Sequence, residues 1–363
     1  MSIDINKLYA ETLREILTFS TTDGVHLMYK NPFDALEDER SFTLNNPDKF
    51  IDQLHPNIKY LLSEHNYRRK ILRLIGERGR MDLLNSYKDY FTKNWFLRKA
   101  FKISCLHNHG ELIDFFLEKG ADNQFGMNYA AQGGHKILVD FFTHGNHSKN
   151  RGLLAYAAKG GHKHLVALAI ANGANDWGWA MLYAAKGGHK DLVDFFISKG
   201  ANDWDWGMRY AARGGHEHLV DFFISKGAND WDDAMGFAAT GGHKDLVEFF
   251  ISKGEDDWNS AMAHAAKRGH EDLVKFFITR GADDWNRGMI YAAKGGHKNL
   301  VKFFISKGAD NWNKAMKSAA KAGHKDMVKF FISKGANDLN KGMENARENE
   351  HEDLVDFFIS KFN

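Results

Sequence analysis

Ten histidines raise the first chemical question: His109, His135, His162, His189, His216, His243, His270, His297, His324 and His351. Imidazoles bind metals and carry protons at physiological pH, so a file of them could do either. Their spacing argues against both. Successive members stand 26 residues apart once and 27 thereafter, whereas a zinc ion gathers its nitrogen ligands about 2.0–2.1 Å from a single point. His162/His164 and His216/His218 have a second imidazole close by, but residues two apart point to different sides of a helix. The chain also has no phosphate-binding Gly-rich loop, no Gly-x-Ser-x-Gly and no isolated carboxylate pair. No catalytic residue, metal ligand or cofactor is assigned, and the histidines read as turn residues.

Two charged columns share the period. Asp176, Asp203, Asp230, Asp257 and Asp284 each precede a Trp, and Asp338 precedes Leu339. Aspartate before a helix accepts from orphan backbone N–H groups and complements the helix dipole, worth roughly 1 kcal/mol per cap. Capping is preferred over a cation site. Three residues before the histidines stand Lys159, Lys186, Arg213, Lys267, Lys294 and Lys321. Cations there complement a helix C-terminus; alternatively, the stripe receives an acidic partner or a phosphate backbone.

A period between 20 and 50 residues marks a stacked repeat array. With the histidine as position 0, apolar or small residues fall at −12, −9, −8, −5 and −4, as in Trp204, Gly207, Met208, Ala211 and Ala212. That is one face of a helix, here called A. Gly-Gly ends it, and a second helix, B, follows within two or three residues, so the two must run antiparallel. Helix B carries Leu-Val-x-Phe-Phe-Ile, with phenylalanine pairs from Phe195/Phe196 to Phe357/Phe358. Five apolar residues in six need burial against helix A and the next unit, and the Phe pair is expected to form the spine. A glycine such as Gly200 or Gly227 then closes helix B in the left-handed conformation.

Near-identical units separate the positions that packing fixes from those it leaves variable. On helix A the variable positions are −10, −7, −6 and −3, again at helical spacing. They define a candidate partner-binding face: Trp179, Tyr183, Trp206, Arg209, Tyr210, Asp233, Arg287, Tyr291 and Lys314. In units packed about 10 Å apart these columns form a continuous surface, aromatic toward the N-terminal side and basic toward the C-terminal side. Trp, Tyr and Arg are the residues most often found as interface hot spots.

The whole-chain totals limit the alternatives. A length of 363 residues counts units rather than domains, and a net charge of +2 gives no polybasic tail for nucleic acid or membrane. One cysteine, Cys105, rules out an intramolecular disulfide and reads as a small buried residue. The N-terminus has acidic residues among its apolar ones, and no run of 18 apolar residues occurs, so an intracellular, cytoplasmic or nuclear protein is expected. Residues 1–66 do not repeat and are expected to be a mostly helical cap, with 67–363 the array and 67–90 its degenerate first unit.

The string Ala-Ala-x-Gly-Gly-His-x-x-Leu-Val-x-Phe-Phe-Ile-Ser-Lys-Gly-Ala-Asn/Asp resembles the core of the ankyrin repeat. Its Trp-rich style is most similar to the multi-copy ankyrin-repeat proteins of large DNA viruses of amoebae. About six residues are missing between the exit glycine and the next helix, where that family builds a β-hairpin finger, and the Thr-Pro helix start is absent. The expected fold is therefore an all-α helix-turn-helix solenoid with fingers shortened or lost. The resemblance implies a non-enzymatic scaffold that binds a protein partner, such as a host protein, along the A helices. The alternative is an electrostatic nucleic-acid binder using the Lys/Arg column. A monomer is expected, with no membrane contact.

Overall fold

The computed structural model describes residues 18–20, 26–28, 75–77, 79, 81–87, 94–143 and 151–361. The chain divides into two compact parts, 1–130 and 131–363. In the first, β1 (Thr18–Ser20) pairs antiparallel with β2 (His26–Met28), placing Phe19 opposite Leu27. The helical stretches expected at 7–17 and 49–65, and the boundary at 66/67, lie outside the described residues. Helices α1 (Met81–Tyr87), α2 (Asn94–His107) and α3 (Gly110–Glu118) follow, then α4 (Asn123–Gly133), which continues into the second part. Phe101 of α2 and Phe116 of α3 are buried edge to face, with centroids 6.0 Å apart. Cys105 is fully buried and its thiol is pushed up to about 12 by burial, which leaves it inert as a nucleophile.

The second part is a stack of helix pairs, and the all-α expectation for the array is correct. After α5 (Lys136–Thr143), the pairs are α6/α7 (Arg151–Gly160, Lys163–Ala171), α8/α9 (Trp177–Gly187, Lys190–Ser198) and α10/α11 (Trp204–Gly214, Glu217–Ser225). Next come α12/α13 (Trp231–Gly241, Lys244–Ser252), α14/α15 (Trp258–Arg268, Glu271–Thr279) and α16/α17 (Trp285–Gly295, Lys298–Ser306). The last are α18/α19 (Trp312–Lys321, Lys325–Ser333) and α20/α21 (Leu339–Glu348, Glu352–Ile359). Asp176, Asp203, Asp230, Asp257 and Asp284 cap their A helices as expected. Asn311 caps α18, a cap the acidic column does not reveal. The Asp338 side chain does not cap α20 and instead accepts from Lys317 Nζ at 3.0 Å.

The Gly-Gly turn has a distinct reason for each glycine. Gly188 ends α8 at φ +82°, in the left-handed region, and a Cβ there would come within 2.6 Å of the His216 ring of the next unit. A Cβ on Gly187 would strike the Lys159 carbonyl of the preceding unit and the ring of His189. Between these close approaches the histidine works as a staple. His189 Nε2 bonds the carbonyl oxygen of Lys159 at 3.1 Å, and His216 Nε2 bonds that of Lys186 at 3.1 Å. The same bond recurs from His297 to Lys267 at 3.2 Å and from His324 to Lys294 at 3.1 Å. Burial, more than any neighbour, holds the imidazoles of His162, His216 and His270 below the usual histidine range.

The Phe pair divides its work, which corrects the expectation that both rings form the spine. Phe196, Phe223, Phe250, Phe277, Phe304, Phe331 and Phe358 are fully buried, each contributing on the order of 1.5–3 kcal/mol. The first ring of each pair is only half-buried; it stands edge to face against the second from Phe195/Phe196, at 5.3 Å, to Phe330/Phe331, and tilted against it in Phe357/Phe358. A cation lies over each outer ring: Lys199 over Phe195 at 5.4 Å, Lys253 over Phe249 at 5.1 Å and Arg280 over Phe276 at 5.1 Å.

Candidate partner-binding face

The A helices place −10 and −6 one turn apart on a common face, so Trp179 stands over Tyr183 and Trp206 over Tyr210. Stacking of units then joins these pairs. Tyr156, Tyr183, Tyr210 and Phe237 form a ladder with successive centroids 5.4, 5.9 and 6.0 Å apart. Trp179 meets Tyr183 at 6.2 Å and Tyr210 at 6.4 Å, while Trp206 meets Tyr210 at 6.2 Å and Phe237 at 6.0 Å. The ladder rings are half-buried, but Trp179 is 52 % exposed and Trp206 40 %. Burial raises the phenol pKa values of Tyr183 and Tyr210, with nearby Arg213 opposing the shift at both.

Four of the nine expected residues therefore come together as one shelf: Trp179, Tyr183, Trp206 and Tyr210. Arg209 and Asp233 are beside it in a different role. The Arg209 side chain is only 11 % exposed and forms ion pairs with Asp230, the cap of the next unit, and with Asp233 at 3.1 Å. Its guanidinium also lies 4.5 Å from the Trp206 ring centroid, so it braces that indole. Arg209 Nε is buried without a hydrogen-bond partner. Arg287 and Tyr291 form a separate group. Arg287 Nη2 donates to Ser260 Oγ at 3.0 Å, and Tyr291 packs on His264 with centroids 5.9 Å apart. Lys314 is exposed, away from the aromatic shelf.

The −7 column, expected to be part of this surface, is not. Leu182, Gly236 and Ala263 are buried, Arg209 reaches the cap aspartate Asp230 of the following unit, and Lys317 reaches Asp338, which precedes the next A helix. Variation here reflects how each pair of units fits together. A further column, at −11, escapes notice in the sequence because from Asp205 to Asn340 it holds only Asp or Asn inside a capping segment. Asn286 Oδ1 accepts from the N–H groups of Asp310 at 3.0 Å and Asn311 at 2.8 Å, while its Nδ2 donates to Asp310 Oδ1 at 3.2 Å. Asn259 and Asn313 hold the next loops in the same way, and Asp205 accepts from Asn229 and Asp230. These side chains tie the short loops together where no strand or finger does so.

The −3 column carries a structural load through its backbone, since its carbonyls receive the histidine staples. The side chain of Lys159 also donates to Gln132 Oε1 at 3.2 Å. Burial and neighbouring Lys294, Arg268 and Arg213 push the Lys267 ammonium down.

The family described as ankyrin repeats (3 copies) matches residues 127–205, 208–288, 264–343 and 289–362, well over half of the chain. The chain belongs to the ankyrin-repeat family. Ankyrin repeats typically serve as scaffolds for protein–protein interaction; the family is generally non-catalytic, and no catalytic domain is identified in this chain. No curated protein matches it. In this ankyrin array, the −11 side chains in the first turns of the A helices bind the short loops where the finger expected of the family would lie. Among the described residues, no helix is long and apolar enough to cross a membrane, and no group of three or more His, Cys, Asp or Glu is placed to hold a metal ion.

Proposed function

We propose that this ankyrin array is a scaffold that holds a protein partner on the shelf formed by Trp179, Tyr183, Trp206 and Tyr210. The observation that carries this reading is the exposure of two neighbouring indoles, 52 % and 40 %, on helices whose other large apolar side chains are covered. Exposed contiguous aromatic surface is costly to leave in water and is the usual centre of an interface hot spot. Arg209 supports the reading because an ion-paired guanidinium fixes the Trp206 ring before any partner arrives, which lowers the ordering cost of association. Arg287, Tyr291 and Lys314 extend the face toward a more polar rim. The partner would be a protein of the host cell, met in the cytoplasm or nucleus.

The test is retention of proteins from an amoebal lysate by the tagged chain, with and without nuclease, beside the Trp179→Ala/Trp206→Ala variant. Retention that survives nuclease and disappears in the variant is expected. Retention that disappears with nuclease, together with a steep loss of affinity as salt rises, would replace this reading with the nucleic-acid one.

A further inference from the structure

Three departures from the repeat converge where α12 and α14 meet. Position −3 is Lys or Arg in six units but Thr240 on α12. Position −6 is aromatic from Tyr129 to Phe237 and again at Tyr291, but is His264 on α14. Position −2 is Gly214, Gly241 and Gly295 in neighbouring units, but Arg268 on α14. Stacking brings the first two together, and Arg268 stands at the position whose Cβ, in neighbouring units, would meet the −3 carbonyl of the preceding unit. The Thr240 hydroxyl and His264 Nδ1 share a hydrogen bond of 3.1 Å. His264 also lies beside Gly236, next to the shelf's last ring, Phe237: a Cβ on Gly236 would be 3.5 Å from His264 Cδ2.

The surroundings are cationic. Arg213 is one unit before Thr240, and Lys267 and Arg268 one unit after it. Lys267 and Arg268 are influenced by Arg213 and, for Lys267, by Lys294, with no carboxylate among the groups acting on either. His264 senses Lys267, Arg287 and Arg213 as repelling charges and Asp233 as the one attracting group, and Asp233 is already paired with Arg209. Packed helices thus hold like charges together around a hydroxyl and an imidazole. This arrangement lacks its counter-charge.

We propose that Arg213, Thr240, His264, Lys267 and Arg268 form an oxyanion site for a phosphate monoester carried by a partner segment on the adjoining aromatic shelf. The cations supply charge-assisted bonds, and the Thr240 hydroxyl and His264 imidazole supply further polar contacts. The carrier of the phosphate rests on the partner-binding reading above, whereas the anion site does not.

The site can be tested without any partner. The His264 imidazole is followed by NMR across pH while the full-length protein is titrated with sodium sulfate and, separately, with phenyl phosphate. A bound dianion stabilises the imidazolium, so the His264 pKa should rise saturably with either ion. Arg268→Gly restores the residue of neighbouring units and should weaken the effect about tenfold, the scale of one charge-assisted hydrogen bond, while Lys334→Ala, on the outer B side, should leave it unchanged. Phenyl phosphate should bind more tightly than sulfate, because its ring can reach Phe237. No saturable shift, or the same shift in Arg268→Gly, would overturn the site. Equal affinity for the two ions would overturn the partner-borne phosphate in favour of a free inorganic anion.

Discussion

The two sides of each helix pair obey different rules. On the B helices of the seven units from His189 to His351, the residues at +3, +4, +6 and +7 are almost the same every time: Leu or Met, Val, Phe, Phe. On the A helices the −10 position runs Trp179, Trp206, Asp233, Ser260, Arg287, Lys314, Lys341. Identical units must present complementary faces to one another, so most residues buried in the stack are copied with the unit, the −7 column being the exception. A residue facing outward has no such constraint. The contrast teaches that in this molecule constancy marks stability, and that variation marks either a binding surface or a local fit between two particular units.

Breaking the spine should have the largest effect. Phe250→Ala empties a fully buried site and is expected to destabilise the array by about 3–5 kcal/mol in denaturant unfolding. Phe249→Ala removes a half-buried ring and should cost roughly a third of that. Equal losses would show that both rings are spine after all.

Next come the turns. Gly188→Ala forces a left-handed alanine against the His216 ring and should cost about 1–3 kcal/mol. Gly200→Ala has the same kind of backbone constraint, at φ +105°, but its Cβ would enter open space, so its cost should be smaller, about 1 kcal/mol. A comparable magnitude is expected for Asn286→Ala, which leaves the N–H groups of Asp310 and Asn311 to water: about 1 kcal/mol, with hydrogen exchange rising in that loop.

Acid should act on the staples. The folded pKa values of His162, His216 and His270 lie below the ordinary 6.5, so the unfolded chain binds protons that the folded one does not. Their stabilisation is fully present above pH 6.5 and is lost as pH falls from there through the depressed folded values. Unfolding midpoints measured from pH 7.5 to 5 should fall, and His216→Gln should reduce the slope. The smallest effect on stability belongs to the shelf. Trp179→Ala/Trp206→Ala should shift stability by less than about 1 kcal/mol while removing partner binding.

Much of the fold could be read from the 27-residue period. Two antiparallel helices, aspartate caps and a closing glycine are local features, and the chain states them again in unit after unit. What stayed hidden lies between units. Arg209 reads as a variable surface residue, yet it pairs with Asp230, 21 residues on. Asn286 reads as an unremarkable first-turn residue, yet it holds a loop 24 and 25 residues away. The Arg209 pairing does not recur with one residue type, and the −11 side chains bond backbone N–H groups rather than a matching side-chain column, so comparing columns one at a time exposes neither. The shelf was legible in Trp179, Tyr183, Trp206 and Tyr210 because aromatic residues at helical spacing recur in adjacent units. Its limits were not: Arg287 and Tyr291 share the columns but pack with Ser260 and His264.

The most direct measurement compares the two sides of the same units. A partner retained by the wild-type chain after nuclease would be titrated against two variants, Trp179→Ala/Trp206→Ala on the A face and Phe195→Ala/Phe222→Ala on the outer B face, each first checked for helical content. The account expects binding to be lost in the first and kept in the second. Binding kept without the two indoles, or lost without the outer phenylalanines, would contradict it.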